Sequence, residues 1–397
     1  MENYRLERVE KICLDLQGLI NKQSIPVESF QMKHGFFLTP KEADESNIAW
    51  ETFNCKKDIW SGPDDHYWFR ATLTIDENFD KKPLWLSFVT QATFWDAVNP
   101  QFLLFINGEV TQGVDVNHRE TKLFDKAKAG DKITIDLQAY TGRDNDLNKG
   151  TTDNLRLFAN VIELDEKINE LYYNLIVPNG VVSYLDKNSQ SRINLQLALE
   201  KAINMLDLRC PYSKEFYDSI EECNKFVKKR IYDELANNDD IIATCIGHTH
   251  IDVAWWWTVA QTREKTVRSF STVLKLMDEY KDYKFMSSQP QLYQFVKERY
   301  PEVYEKIKKR VKEGRWETEG GMWVEADCNV TSGESLIRQF VHGKRFFKEE
   351  FNKDNKILWL PDVFGYSAAL PQIMKKCGIN YFMTTKIAWN EFNELPT

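Results

Sequence analysis

The chain has 397 residues, 42% hydrophobic and 28% charged, a globular composition too long for one ordinary core, so two or three domains are expected. A formal net charge of −8 argues against nucleic acid as the main partner, and no run of ~18 consecutive apolar residues is present to span a membrane. Seven scattered cysteines, odd in number and without a C-x-x-C pair, are expected as free thiols in a cytoplasmic protein, since the charged N-terminus has no signal-peptide apolar core.

In chain order, Leu6, Val9, Ile12, Cys13, Leu16, Leu19 and Ile20 fall at helical spacing, which predicts an amphipathic N-terminal helix lying against a neighbouring domain. From about Trp50 to Leu164 the texture changes. HYWFRATLTI, PLWLSFVTQ, QFLLFINGEV and DKITIDLQAY are rich in aromatic and β-branched residues and are separated by turn material. Asn107-Gly108 is the strongest hairpin turn in the chain, and the pattern predicts an all-β sandwich of jelly-roll type. Leu155 to Val177 closes this sheet and leaves it. Arg192 to Ala236 is helical, broken by Pro211.

After the polar stretch Asn237 to Asp240, strands and helices alternate. Expected strands are Ile241–Gly247, KFMSS, RWETEGG, KILWL and NYFMTT. Expected helices run from Thr258 to about Tyr280 behind a Thr258-x-x-Gln261 capping box, from Ser288-x-x-Gln291 to Gly314, from Glu334 to Phe351, and from Ala368 to Lys376. Strict alternation with near-continuous apolar strands predicts a parallel sheet with right-handed crossovers, either doubly wound or most of a barrel. The fold class is therefore α/β plus all-β, divided as 1–46 (N-terminal helix and lead-in), 47–177 (β-sandwich), 178–239 (helical linker) and 240–397 (catalytic α/β domain). The chain stops soon after the last expected strand, so a (β/α) barrel truncated after about five strands is expected, as is self-association through its uncovered edges.

In such sheets ligands bind at the carboxyl ends of the strands. His248, His250 and Asp252 lie at alternating positions just past the first strand, and would share one side if extended geometry continued. Two imidazoles and a carboxylate there suit a divalent metal. They need a partner from elsewhere, and Asp362, past the strand KILWL, is the leading candidate. Glu325 and Asp327 follow a third strand. Asp362 could instead be a helix N-cap, and His248 a packing residue.

Three motifs carry a resemblance. HTHIDVAW (248–255), GGMWVEADCN (320–329) and WLPDVFGYS (359–367) look like the signatures of the glycoside hydrolase family 38 α-mannosidases, closest to the cytosolic and bacterial branch. The resemblance spans Ile241 to Thr397 and is weak before it. It implies a retaining mechanism acting on mannose-containing oligosaccharides, with Asp362 as the carboxylate nucleophile that forms a covalent mannosyl-enzyme. It further implies His250, Asp252 and Asp362 as ligands of zinc (cobalt or another divalent metal being alternatives). Trp255 would be the platform on which the sugar stacks, Phe364 would line the same subsite, and His248 has no ligand role. Trp256 and Trp257 are expected in the core. The family's remaining ligand histidine and its acid/base carboxylate are expected beyond Thr397, since mid-helix His342 is a poor ligand and Glu325 and Asp327 more simply bound the sugar site or order its loops.

Two other readings remain at this stage. A zinc-dependent carbohydrate deacetylase also uses an Asp and two His on an α/β barrel and would release acetate. A non-enzymatic sugar-binding or oligomerisation module would use Trp60, Trp68, Trp85 and Trp95 of the sandwich.

Overall fold

The computed structural model describes residues 2–89, 99–143, 153–236 and 243–389. Helix α1 (Glu2–Ile20) leads into ten strands, with the short helix α2 (Pro40–Glu45) between the second and third: β1 (Asn21–Pro26), β2 (Ser29–His34), β3 (Glu51–Asn54), β4 (His66–Thr74), β5 (Leu84–Val89), β6 (Gln101–Ile106), β7 (Glu109–Val114), β8 (Glu120–Phe124), β9 (Lys132–Tyr140) and β10 (Phe158–Leu164). They form two antiparallel sheets, ordered β1-β10-β5-β8 and β3-β2-β4-β9-β6-β7. The expected hairpin joins β6 to β7, with Asn107 and Gly108 both at positive φ (52° and 86°) as its turn requires.

Between the sheets lies a core that includes Phe30, Trp60, Phe69, Phe88, Phe102 and Leu137. Trp60 and Trp68 are buried, so they offer no sugar platform; Trp85 is half-buried and Trp95 lies outside the described residues. Strand β6 is buried on both faces, and the reason is visible in its alternation. Phe102 and Leu104 point into the sandwich, while Leu103 and Phe105 join Trp68 in a second core shared with the α/β part. The six-stranded sheet is thus a middle layer.

Strands β1 and β2 fall within the segment 1–46, read from sequence as an N-terminal helix and lead-in. NKQSIP and SFQMKH are short and largely polar, too weak a pattern to flag, yet β1 pairs with β10 while β2 pairs with β3 and β4. Helix α3 (Glu166–Val182), capped by Asp165, also crosses the 177/178 limit drawn from sequence. With α4 (Gln190–Ile203), α5 (Lys214–Val227) and a π-helix (Lys228–Leu235) it buries the apolar face of α1, through Val9, Cys13 and Leu16. The N-terminal helix completes a helical bundle.

The last part alternates β11 (Gly247–His248), α6 (Val259–Glu279), β12 (Phe285–Ser287), α7 (Pro290–Arg299), α8 (Pro301–Lys312), β13 (Trp316–Thr318), α9 (Gly333–Phe351), β14 (Ile357–Leu360), α10 (Leu370–Lys376) and β15 (Tyr381–Thr384). Every pairing among the described residues is parallel: β11-β12-β13, β14-β15, and the isolated bridges Gly320–Leu358 and Cys328–Tyr366 between the two sets. Strand order follows chain order without the reversal that defines a doubly wound sheet. Three expectations change here. The first strand pairs only at 247–248, with 241 and 242 outside the described residues. The helix expected over 288–314 is two helices, because Tyr300 precedes Pro301 and leaves the helical region (φ −136°). Ser288 does not cap it; its hydroxyl is engaged by Glu325 and Gln289 takes the position, at φ 64°. The Thr258–Gln261 capping box, by contrast, is formed in both directions.

Helix α9 packs so closely on the loop after β13 that a Cβ on Gly343 would lie 2.5 Å from the Gly321 carbonyl oxygen and the Met322 carbonyl carbon. Backbone cannot give way as a side chain can. Gly343→Ala is therefore expected to destabilise by about 1–3 kcal/mol in urea unfolding, although it raises intrinsic helix propensity. A neutral or stabilised variant would contradict this packing.

Candidate functional site

The site lies at the carboxyl ends of β11 and β14. Regular pairing stops at His248, and the chain then bends, so the three alternating residues do not stay on one side. His248 turns to its neighbours: Nδ1 lies 3.0 Å from the Met286 carbonyl oxygen, and Nε2 accepts from Trp359 Nε1 at 3.2 Å. That pattern assigns the proton to Nδ1 and uses the only lone pair, so His248 is a packing residue with nothing to offer a metal.

His250, Asp252 and Asp362 do converge. Their ligand atoms lie within 4.8 Å of one another, and all three residues are half-buried. His250 Nε2 is 3.2 Å from Asp252 Oδ1 and 3.5 Å from Asp362 Oδ2. On the other side of the ring, Nδ1 is 2.7 Å from Glu325 Oε2, a contact made off the hydrogen-bond axis. Glu325 is itself buried and held by Ser288 Oγ at 2.7 Å, while its backbone N–H donates to Gln289 Oε1. Carboxylates on both edges of one imidazole orient the ring as metal-site histidines are oriented. One imidazole nitrogen and two carboxylates around a common gap form a donor set that fits a divalent cation.

Aromatic residues adjoin these groups along the chain. Trp255 is 64% exposed and Phe364 71% exposed, so neither is a core residue. Trp256 is 54% exposed and Trp257 half-buried, so neither belongs to the core; both lie on the loop that follows the end of the sheet. Asp327 caps its own loop, accepting from the backbone N–H groups of Asn329 and Val330 at 2.9 and 2.8 Å. His342 is exposed on α9, outside the cluster.

Residues 240–397 match the model of the glycosyl hydrolases family 38 N-terminal domain. The sequence relatives agree: the chain is 35% identical to α-mannosidase G of Dictyostelium discoideum over 83% of its own length and 30% of that protein. The chain carries a glycoside hydrolase family 38 N-terminal domain. It is also 30% identical to human α-mannosidase 2C1 over 98% of this chain and 38% of that one. Against Saccharomyces cerevisiae α-mannosidase the identity is 38% over 55% of this chain and 19% of the relative. The chain thus spans about a third of the length of the first two relatives.

Within this family 38 domain, sequence reasoning missed Lys386. Its Nζ lies 2.9 Å from Asp362 Oδ1, 3.5 Å from the Trp389 ring centre and 5.1 Å from that of Phe364. The two oxygens of Asp362 therefore face different cations, Oδ2 the His250 cluster and Oδ1 an ammonium. A signal existed: Lys386 follows the carboxyl end of β15 just as Asp362 follows β14. Gln289, which ties Glu325 to the Ile251 carbonyl, left no such trace, because its role depends on a left-handed backbone.

His250 has a titration consequence. Burial opposes its charge, but the adjacent Asp252 and Glu325 carboxylates outweigh it and push the pKa up to about 10. Since the folded value lies above the unfolded one, the stabilisation is complete below about pH 6.5 and is lost as pH rises through about 10 in the metal-free chain. A divalent cation must displace that proton. Its binding is expected to release nearly one proton near pH 8, with affinity rising up to about tenfold per pH unit. Calorimetry in two buffers of different ionisation enthalpy measures the release; a flat affinity from about pH 7 to 9 would contradict the pairing.

Proposed function

We propose that this chain carries the glycone-binding and nucleophile part of a metal-assisted retaining α-mannosidase acting on mannose-containing oligosaccharides. The observation that carries the reading is the meeting of His250, Asp252 and Asp362 at strand carboxyl ends inside a family 38 domain, beside exposed Trp255 and Phe364. The printed names of the relatives, all α-mannosidases, support the substrate class. The sequential parallel strands support part of a (β/α) barrel wall. Seven unpaired thiols, four of them buried, support a cytoplasmic location.

In this reading Trp255 stacks against the apolar face of the mannose and Phe364 bounds it. Asp362 attacks the anomeric carbon, forming a glycosyl ester as the bond from that carbon to the glycosidic oxygen breaks and the aglycone leaves, protonated by the acid; water later cleaves the ester, and the Lys386 ammonium beside Oδ1 orients the carboxylate. His250, Asp252 and Asp362 would hold the cation, zinc by the family resemblance with cobalt or another divalent metal as alternatives, which would supply electrostatic binding of neighbouring sugar hydroxyls when present. Among the described residues, Glu325 is buried beneath His250 and Asp327 caps a loop, so neither is placed to protonate a leaving group. We therefore assign the acid/base outside the described residues, and expect its removal to slow hydrolysis of ordinary mannosides ~10²–10⁴-fold.

A fluorinated α-mannosyl fluoride tests the first half-reaction separately, because fluoride departs without a proton. The expected result is one added fluoromannosyl group on the peptide containing Asp362, in zinc-containing buffer. Labelling at another carboxylate, or none in a folded, zinc-loaded chain, would sink the assignment. Acetate release from an acetylated sugar would favour the deacetylase reading instead.

A further inference from the structure

The loop that carries His250, Asp252 and Trp255 has no regular secondary structure between His248 and Thr258. A metal and sugar site needs its groups held to within about half an ångström, so such a loop requires pins. The first is known from the preceding geometry: the Ile251 carbonyl accepts from Gln289 Nε2 at 2.9 Å.

The second comes from α6. Thr262 is fully buried, and its hydroxyl donates to the Val253 carbonyl at 2.8 Å while accepting from Trp257 Nε1 at 3.1 Å. A threonine inside a helix ordinarily bonds the carbonyl four residues back in its own helix. That partner, Thr258 O, is farther away here at 3.2 Å. The hydroxyl is thus turned out of the helix and spent on the loop. Val253 adjoins Asp252, and the Trp257 ring lies edge-on to Trp255 at 5.8 Å and 88°.

Helix α6 is a firm base for this pin. Its outer turns dock on the sandwich through Glu264 with His66, Arg268 with Gln101, and the Gly113 N–H donating to Thr272 Oγ1 at 3.0 Å. Gly113 approaches so closely that a Cβ there would lie 2.9 Å from Arg268 Cβ.

We propose that Thr262 is the positioning residue of this site, setting Asp252 through the Val253 carbonyl and Trp255 through the Trp257 indole. The sandwich, by holding α6, is then a structural part of the sugar site and not an appendage. This rests on the metal-and-sugar reading above, and the experiment separates the two.

The full chain is compared with Thr262→Val, Thr262→Ser and Trp257→Phe, using cobalt chloride as the probe and visible absorption to read the bound ion. Thr262→Val is expected to bind Co²⁺ ~10–100-fold more weakly, as loss of a supporting partner does, and Thr262→Ser to stay within ~3-fold of wild type. In metal-free protein, amide exchange over residues 252–257 is expected to be ~10-fold faster in Thr262→Val and restored in Thr262→Ser. Trp257→Phe, which spares the bond to Val253, is expected to speed exchange only near 255–257 and to keep Co²⁺ affinity, so the proposal stays testable if Thr262→Val does not fold. Wild-type affinity and exchange in Thr262→Val, a serine that does not rescue, or cobalt binding lost in Trp257→Phe would overturn it. A folded wild type that binds no Co²⁺ overturns the metal reading, while the exchange measurements still decide the role of Thr262.

Discussion

Asp362→Asn is expected to weaken divalent-cation binding ~100-fold or more, beyond what loss of a mere supporting partner costs, and to abolish covalent labelling by the mannosyl fluoride. The substitution is nearly isosteric, so the effect is chemical. Oδ2 faces His250 at 3.5 Å and is one of the three atoms grouped around the gap; an amide there brings no charge to a cation. Oδ1 loses its ion pair with Lys386, whose side chain is largely buried beside Phe364 and Trp389 and is left without its counter-charge. Calorimetric titration with Co²⁺ and intact-mass analysis read the two losses separately. A folded Asp362→Asn chain that binds Co²⁺ as wild type does would remove Asp362 from the cluster. Labelling retained in that variant would remove it from the chemistry.

Glu264→Ala is expected to destabilise the chain by about 3–5 kcal/mol, the range for stranding one member of a buried ion pair. Glu264 and Arg268 lie one turn apart on the face of α6 pressed against the sandwich, and both are buried. Glu264 receives His66 Nε2 on both oxygens at 3.1 Å and faces Arg268 Nη1 at 3.5 Å. Without it the guanidinium keeps the neutral Gln101 amide oxygen at 2.6 Å, and only the more distant Asp115 carboxylate is left to offset its charge in the interface. The double replacement Glu264→Leu with Arg268→Leu should recover most of the loss, because removing both charges also removes their desolvation cost. Urea unfolding of the three variants tests this. A single-variant cost below about 1 kcal/mol would mean that water reaches the pair, as at a surface bridge.

Much of the site was legible before any coordinates because it obeys rules that act along the chain. The capping box at Thr258 and Gln261 is a contact over three residues, and the Asn107-Gly108 turn is set by two backbone dihedrals. The rule that ligands collect at strand carboxyl ends picked out His250, Asp252 and Asp362, and applied once more to the last strand it would have picked out Lys386. What failed was of another kind. From residue type and spacing alone His248 was not separable from His250; the family resemblance gave it no ligand role, and the bend after β11 and the reach of Trp359 supply the physical reason. Strands β1 and β2 carry too little apolar pattern to declare themselves and are held by partners far along the chain. The exposure of Trp256 follows from where the loop leaves the sheet, which composition cannot express.

The sequence by itself determined the periods, caps and turns of this protein and the chemical identity of its donor groups, since hydrophobic spacing and side-chain type are local quantities. Tertiary structure alone decided that Asp252 and Asp362, 110 positions apart, share one gap with His250, that Glu325 stands behind the imidazole, and that the sandwich grips α6. Those outcomes depend on how separate layers pack, and packing couples residues through space at distances the linear order does not record.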